Sequence, residues 1–250
     1  MSSLKEKIYG IKTIHEDIRV YLNAIKDINP VDIHYGLWKN KKEDFIKAQI
    51  NLSEFIISKI PPYAKKILDV GGGVGGFSEI LRTKGYEQVC IVPDKELIRY
   101  GKNEFPYVKF LRGSAETFSI NKKSRFDGAV MIESFQYFTN RKGGIKNIIK
   151  HLNEASFIII VDEFSLSDEI YLPGEERIIK LLNESGFCLK ENSDLSHKVI
   201  RTCDFLTDYF KGKDPNMEIN WKNKKKFYQE GKLKYKLLVF EKGSFIKISA

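Results

Sequence analysis

Cysteine, histidine and tryptophan are scarce in this 250-residue sequence, which contains three, four and two of them. The three cysteines, Cys90, Cys188 and Cys203, are isolated from one another and form no Cys-x-x-Cys pair. Such spacing indicates neither a disulfide framework nor a structural zinc site. We therefore expect free thiols and no bound metal.

Long apolar runs are also missing. No stretch approaches the roughly 18 uninterrupted apolar residues that a membrane-spanning helix needs. The first residues, Met1 to Glu6, are polar and lead directly into a helical pattern, unlike the apolar core of a secretory signal. We expect a protein without a membrane span that is located in the cytoplasm.

Negative charge is under-represented, which leaves a net charge of +9. An excess of this sign suits an anionic partner such as RNA, a phosphorylated metabolite or a membrane surface. Its densest run, Lys222 to Lys226, lies beside Trp221, Phe227 and Tyr228, as on a nucleic-acid surface. Solvated lysine faces are the more common alternative, and the remaining excess is diffuse. A nucleic-acid surface is therefore the less favoured interpretation of this run.

From Lys65 onward, short apolar runs alternate with helical stretches, which is typical of βαβ units and a parallel sheet. The length suits one α/β domain with a few added helices. We expect parallel strands near Lys66–Val70, Gln88–Val92, Val108–Arg112, Asp127–Ile132 and Phe157–Asp162.

Two helices precede this region. The first, about Leu4 to Ile28, has apolar residues at helical spacing and ends at Asn29-Pro30. The second, about Lys42 to Lys59, stops before Pro61-Pro62 because proline cannot continue the hydrogen-bond ladder. We assign residues 1–64 to these helices and expect them to form part of a cap over residues 65–250, which form the core.

The C-terminal part of the sequence predicts a helix at about Gly174–Ser185 that ends at Gly186, then a strand near Phe187–Asn192. Residues 196–231, Ser196 to Gly231, have the pattern of an irregular, aromatic-rich insertion, which we expect to complete the cap. The tail, Leu233–Lys242 with a turn at Gly243 into Phe245–Ser249, predicts an antiparallel hairpin that closes one edge of the sheet.

The strongest local signal is a buried strand that breaks into glycines and continues as a helix, from Lys66 to Ser78. Glycines at such a point let the backbone turn sharply and let a ligand approach the main chain. One acid, Asp69, precedes the glycines, and a second, Asp94, ends the next strand, where it can accept hydrogen bonds from a ribose. A dinucleotide site uses a similar turn and second acid but has no need of Asp69.

The arrangement Asp69-x-Gly71-x-Gly73-x-Gly75 resembles the first motif of the class I S-adenosylmethionine-dependent methyltransferases. Later segments are similar in the same order: Gly113 to Glu116 resembles the turn beside the adenine, and Phe126 to Phe138 resembles the fourth-strand motif of small-molecule members. His34 to Trp38 looks like the His-Tyr-Gly-Tyr-Trp element of natural-product and sterol methyltransferases. The resemblance covers roughly residues 34–242.

This resemblance implies a Rossmann-like, doubly wound, mostly parallel seven-stranded sheet with an antiparallel C-terminal hairpin and a helical cap. It also implies S-adenosylmethionine as the cofactor and S-adenosylhomocysteine as its product. The residues implied for cofactor binding are Tyr35, Asp69, Gly71, Gly72, Gly73, Gly75, Asp94, Lys95, Ser114, Ala115, Glu116, Ile132 and Glu133.

The candidates for catalysis are Glu133, Tyr137 and His197, with Glu163 also expected at the mouth of the sheet. An acceptor hydroxyl benefits from a base, whereas positioning supplies most of the catalysis in an in-line methyl transfer. Two positions depart from the family pattern: Ser114 stands where Asp is usual, and Tyr137 where His is usual. His197 is expected in a surface loop.

The leading hypothesis is therefore a monomeric or homodimeric enzyme that methylates O, N or C of a small-molecule metabolite, as in natural-product biosynthesis. A nucleic-acid methyltransferase is an alternative, but the Asn/Asp-Pro-Pro-aromatic motif common in base-methylating enzymes is replaced here by Ile132-Glu-Ser-Phe135. A cofactor-binding protein of the same fold without methyl transfer is a second alternative, because fold does not determine chemistry.

The charge leads to a first prediction. If the excess of +9 is mostly solvated surface, RNA should bind weakly, and its affinity should collapse between about 50 and 200 mM salt because binding releases counterions. Fluorescence anisotropy with a labelled single-stranded RNA measures this. Salt-resistant, sequence-selective binding would contradict the preference for a small molecule.

Overall fold

The structure of this protein, a computed structural model, describes residues 21–121, 124–166 and 172–243. Most of the first expected helix and the second arm of the expected hairpin, Phe245–Ser249, lie outside the described residues. The end of that helix is seen at residues 21–25 and in the 3₁₀ turn Lys26–Ile28, after which Asn29 adopts a left-handed conformation. Within the described ranges, no helix is long and apolar enough to cross a bilayer.

The described residues include a seven-stranded sheet in the order β3-β2-β1-β4-β5-β7-β6. Its strands are β1 (Lys66–Val70), β2 (Glu87–Val92), β3 (Phe110–Arg112), β4 (Phe126–Ile132), β5 (Leu152–Ser165), β6 (Phe187–Asp194) and β7 (Leu233–Lys242). The pairs β1–β2, β1–β4, β2–β3 and β4–β5 are parallel, whereas β7 runs antiparallel to both of its neighbours. The expected fold class is confirmed.

Strand β7 lies inside the sheet, so the expectation that it closes an edge is wrong. It pairs with β5 through Ile159↔Val239 and with β6 through Asn192↔Leu238. Its residues 237–240 are buried in succession, as is typical of a strand covered on both faces, whereas β6 alternates between exposed and covered positions along its length. The edge strand on this side is therefore β6.

Helices cover both faces of the sheet. They are α1 (Phe45–Ile57), α2 (Gly76–Thr83), α3 (Lys95–Glu104), α4 (Arg141–Ile149), α5 (Glu175–Glu184), α6 (Ser196–Phe210) and α7 (Pro215–Gln229). On β5, alternate residues belong to opposite hydrophobic clusters: Phe157, Ile159 and Val161 to one, and Ile158, Ile160 and Phe164 to the other. This alternation follows from the two-residue period of a strand.

The segment expected as an irregular insertion is instead a pair of helices, α6 and α7, called here the α6–α7 pair. Val199, Cys203, Leu206 and Phe210 are buried at helical spacing in α6. Asp214 begins α7 by accepting hydrogen bonds from the N–H groups of residues 216 and 217, and proline follows in the first turn, where it is tolerated. This local chemistry makes the segment helical, so the expectation of irregular structure was wrong.

The loop at residues 31–38 runs between α1 and the sheet and is held by two buried polar side chains. Gln49 of α1 accepts a hydrogen bond from Val31 N (3.0 Å) and donates to the carbonyl oxygens of Asp32 (2.7 Å) and His34 (2.8 Å). Thr202 Oγ1 of α6 accepts from residue 36 N (3.1 Å) and from the indole nitrogen of Trp38 (3.0 Å). The loop is thus fixed to α1 on one side and to α6 on the other.

The contact at Thr202 gives a stability prediction. Thr202→Val leaves two buried donors without their acceptor, and we expect the free energy of unfolding to fall by about 1–3 kcal/mol. Urea unfolding followed by circular dichroism measures it. Thr207→Val, on the same helix and partly exposed, is the matched control and should change stability by less than about 0.5 kcal/mol. Equal losses of stability in the two variants would show that the Thr202 hydrogen bonds add nothing to the free energy of unfolding.

Candidate functional site

A cavity of about 470 Å³ opens at the carboxyl edge of the sheet, within the size range of small-molecule sites. The ends of β1, β2, β4 and β5, the segment that follows β3, the loop at residues 32–35 and helix α7 all contribute to its lining. The lining carboxyl side chains are Asp32, Asp69, Asp94, Glu116, Glu133 and Glu163. Among the described lining residues, Lys224 is the one lysine, so the cavity is acidic although the chain is basic.

The glycine loop forms one end of this cavity, with Gly71, Gly72 and Gly73 in its wall. Gly71 and Gly73 have positive φ (78° and 55°), which side chains rarely adopt. A Cβ on Gly72 would lie 2.3 Å from Asp69 Oδ2, so the loop packs directly on this buried carboxyl. Without side chains at these positions, the main chain of the loop itself lines the cavity.

Asp69 lies beneath the loop and is 1% exposed. Its Oδ2 accepts a hydrogen bond from Ser78 Oγ at 2.7 Å. Burial raises the pKa of Asp69 to about 7, which the hydrogen bond from Ser78 partly offsets. Asp69 therefore links the glycine loop to the first turn of α2.

Gly75 does not line the cavity, although the resemblance implied that it binds the cofactor. It stands at the start of α2 with φ of 92°, and a Cβ would lie 2.5 Å from the ring of Phe110. Its requirement for glycine comes from backbone conformation and packing.

The second expected acid, Asp94, lines the cavity where β2 ends. Its Oδ1 accepts hydrogen bonds from the N–H groups of Glu96 (2.7 Å) and Leu97 (3.1 Å), so Asp94 caps α3. Lys95, the next residue, is exposed and lies outside the cavity lining.

Ser114, Ala115 and Glu116 line the cavity in the segment that follows β3. Ser114 Oγ is 3.0 Å from Thr117 Oγ1, and Glu116 Oε1 accepts a hydrogen bond from Asn140 N at 3.1 Å. This segment is therefore held by its own turn and by the start of α4.

Glu133, directly after β4, lines the cavity together with Ile132 and has an uncommon left-handed backbone (φ 49°). Its Oε1 accepts hydrogen bonds from Tyr35 N and Tyr235 Oη, both at 2.7 Å. Burial raises the pKa of Glu133 to about 8, and the nearby carboxyl of Glu163 adds to this effect. A strained backbone and a carboxyl that titrates near neutral pH are common at functional sites.

Tyr35 joins Glu133 to Glu163. Besides the hydrogen bond from its main chain to Glu133, its hydroxyl donates to Glu163 Oε1 at 2.7 Å. The neighbouring His34 is buried, and its Nδ1 is 2.7 Å from the carbonyl oxygen of Tyr35, which stabilises the loop locally.

Of the remaining catalytic candidates, the structure brings Tyr137 to the cavity and leaves His197 away from it. Tyr137 ends the 3₁₀ turn Phe135–Tyr137 and lines the cavity. His197 lies in the first turn of α6, is exposed and is not part of the lining, so its expected loop position was wrong. Among the described residues, no cluster of side chains has the make-up of a metal site.

Several residues that line the cavity were not predicted from the sequence. Asp32 Oδ2 accepts a hydrogen bond from Phe77 N at 3.1 Å, at the N-terminus of α2, and a Cβ on Gly73 would meet its other oxygen at 2.7 Å. The α6–α7 pair contributes Thr202, Met217, Asn220, Trp221 and Lys224. The Asp214-Pro215 pair is a signal for the start of α7, but it does not indicate which face of the helix is turned to the cavity.

Comparison with known proteins supports the sequence resemblance. Residues 67–155 match the family model of a methyltransferase domain. The chain is 26% identical over 211 residues to an O-methyltransferase, ResE, of Aspergillus sclerotiorum, a match that covers 74% of this chain and 80% of that protein.

Solved structures share the fold along nearly the whole chain. A candidate sarcosine dimethylglycine methyltransferase from Galdieria sulphuraria has a TM-score of 0.79 at 16% identity and covers 90% of this chain and 98% of its own. A mycolic acid cyclopropane synthase complexed with S-adenosylhomocysteine has a TM-score of 0.77 at 12% identity, with coverages of 93% and 100%. At such identities the likeness shows the fold alone.

The buried carboxyl groups lead to a prediction about pH. The raised pKa of Glu133, about 8, means that the folded state binds its proton more tightly than the unfolded state. This contribution to stability is complete below the unfolded pKa of about 4.3 and is lost as the pH rises through 8. In Glu133→Gln, the free energy of unfolding should therefore fall less between about pH 5 and 8 than in the wild type.

Urea unfolding at several pH values measures this slope. The exposed Glu154 provides the matched control, since Glu154→Gln should keep the wild-type slope. If Glu133→Gln also kept it, the carboxyl of Glu133 would not titrate as described.

Proposed function

We propose that this chain, a class I S-adenosylmethionine-dependent methyltransferase by its fold and its matched domain, methylates a small molecule bound in the cavity at the carboxyl edge. One observation carries the proposal: a single cavity contains the glycine loop, Asp94, the segment after β3, Glu133 and a helix that closes the opposite side. One space therefore has room for a cofactor and an acceptor.

The residues at the sheet end of the cavity fit S-adenosylmethionine, which carries a sulfonium cation and, when bound, supplies the methyl group. The main chain of Gly71–Gly73 would hold its amino acid end, Asp94 its ribose, and Ser114–Glu116 its adenine. Acidic walls favour a cation, since a cleft lined by one sign of charge attracts the opposite sign. Asp69 and Asp32, the latter not predicted from the sequence, pack against the glycine loop. They would support this loop rather than contact the ribose.

The other end of the cavity would hold the acceptor. It is lined by apolar and polar side chains together, as small-molecule sites are: Tyr21, Leu172, Met217, Asn220, Trp221 and Lys224. We propose that residues before 65 and the α6–α7 pair act together as the cap over this end. Such a cover excludes water from the reacting groups.

The basic run in α7 is better explained by ion pairs than by a nucleic-acid surface. Lys222 pairs with Glu218, Lys225 with Asp204 and Lys226 with Glu230, while Lys224 pairs with the buried Glu163. The adjoining aromatic side chains Trp221 and Tyr228 are buried. The run therefore offers little unpaired charge to phosphates, which favours a small acceptor.

Glu133 is the candidate base among the cavity residues, because its pKa of about 8 matches proton transfer near neutral pH. Tyr137 would orient the acceptor. The similarity to ResE, an O-methyltransferase, favours an oxygen acceptor over nitrogen or carbon. A hydroxyl benefits most from a base, so Glu133 and an oxygen acceptor are consistent with each other.

A binding and transfer experiment tests this function. Purified protein should bind S-adenosylhomocysteine in calorimetry without competition from NAD, and should transfer labelled methyl from S-adenosylmethionine to a compound in a metabolite pool. Gly73→Ala places a Cβ against Asp32 at a positive φ, so binding should weaken by about tenfold or more, or about 1.4 kcal/mol.

Gly174→Ala is the matched control, because nothing lies within 4 Å of a Cβ at that position. Its affinity should equal that of the wild type. Unchanged affinity in Gly73→Ala would refute the cofactor site, and tight binding without methyl transfer to any compound would favour the non-methylating alternative.

A further inference from the structure

Glu163 is a buried carboxyl near the end of β5 that binds three side chains from two other parts of the protein. It is 2% exposed. Its Oε1 accepts hydrogen bonds from Tyr35 Oη (2.7 Å) in the loop and Tyr228 Oη (2.8 Å) in α7, and its Oε2 accepts from Lys224 Nζ (2.9 Å) in α7. A buried carboxylate is tolerated only when it is paired and hydrogen-bonded, so these partners are required for its charge.

Lys224 is held between this carboxylate and two aromatic rings. Its Nζ lies 5.1 Å from the ring centres of both Tyr35 and Trp221. Cation–π contacts of this length add to the ion pair. Helix α7 is thereby fixed to the loop as well as to the sheet, at the acceptor end of the cavity.

Tyr35 extends this set of contacts to Glu133. Its hydroxyl binds Glu163 and its main-chain N–H binds Glu133 Oε1, so one residue bridges the two carboxyl groups. The Tyr35–Glu163 hydrogen bond therefore helps to hold in place the segment whose main-chain N–H binds Glu133.

We propose that Glu163 is a positioning residue that, through Tyr35 and Lys224, orients the Glu133 carboxyl in the cavity and aligns α7 against it. This assignment rests on the proposed function, in which Glu133 acts near the acceptor. Glu163 itself contacts neither reacting group in this scheme and works through its partners.

The arrangement also has an electrostatic consequence for Glu133. The titratable and charged groups that face it are Tyr21 from the N-terminal helix, Tyr235 from β7, Glu163 from β5 and Lys224 from α7, while Tyr35 faces it through its main chain. The negative charge of Glu163 raises the pKa of Glu133, and the positive charge of Lys224 lowers it. Removing the charge of Glu163 should therefore lower the pKa of Glu133, and removing the charge of Lys224 should raise it.

The test is a carbon-13 NMR titration of protein labelled at glutamate side-chain carboxyls, with the Glu133 signal identified by its loss in Glu133→Gln. Glu163→Gln should lower the pKa of Glu133, and Lys224→Met should raise it. In a turnover assay, Glu163→Gln should lower kcat by about tenfold to a hundredfold, as expected of displaced catalytic groups, with little change in the affinity for S-adenosylhomocysteine.

The matched control is Glu191→Gln, which breaks an ion pair of the same length with Lys59 (2.9 Å) away from the cavity. It should leave both the titration and kcat unchanged. Tyr35→Phe removes one hydrogen bond of Glu163 and keeps its charge, so it should lower kcat without the pKa change of Glu163→Gln.

Opposite pKa changes in Glu163→Gln and Lys224→Met support the assignment, and an unchanged Glu133 titration in both overturns it. The NMR titration needs no acceptor and no turnover. A failure of the proposed methyl transfer therefore appears as absent product, whereas a failure of this inference appears in the titration.

Discussion

Carboxyl groups buried at the carboxyl edge of the sheet must have hydrogen-bond donors or lose their charge, and the surrounding structure depends on this requirement. Asp162, fully buried, accepts hydrogen bonds from the main chain and side chain of Gln136. Glu163, next to it, takes its donors from a loop and a helix that are distant in sequence. Buried carboxyl groups of the sheet thus help to determine where the loop and α7 lie above its carboxyl edge.

The same requirement explains why the loop at residues 31–38 is ordered without secondary structure. Its polar groups are satisfied by Gln49 and Thr202 from two helices, and its Tyr35 satisfies two carboxyl groups in turn. A loop held at so many points can present Tyr35 to the cavity accurately. The position of Tyr35 at this edge therefore depends on long-range contacts more than on local strand geometry.

The sequence predicted the sheet well, because buried strands such as β1 and β2 are apolar runs followed by turns, and their bounds need no tertiary information. Asp69, Asp94 and Gly71–Gly73, which line the cavity, were likewise predicted from local chemistry. Position in the sheet was not predictable for β7, since strand order depends on pairing between distant segments. Net charge describes the chain as a whole, so neither the acidic cavity nor the ion pairs of Lys222 to Lys226 could be predicted from it.

Residues whose position relative to the cavity depends on the tertiary fold were the hardest to predict. His197 looked chemically suitable but lies exposed on α6, and Gly75 followed the motif but packs on Phe110. Lys224 and Trp221 belong to the basic and aromatic run, which gave no indication that they line the cavity. A sequence reveals such residues only once the fold shows which face of the helix is turned to the site.

We propose that the cofactor lies against the glycine loop in this cavity, with its sulfur turned toward Glu133 and the acceptor end. A crystal structure of the protein with S-adenosylhomocysteine is the decisive measurement. We expect the amino acid end over Gly71–Gly73, the ribose at Asp94, the adenine beside Ser114–Glu116 and the sulfur facing Tyr35 and Glu133. Density for the ligand elsewhere, or with the sulfur turned away from Glu133, would contradict it.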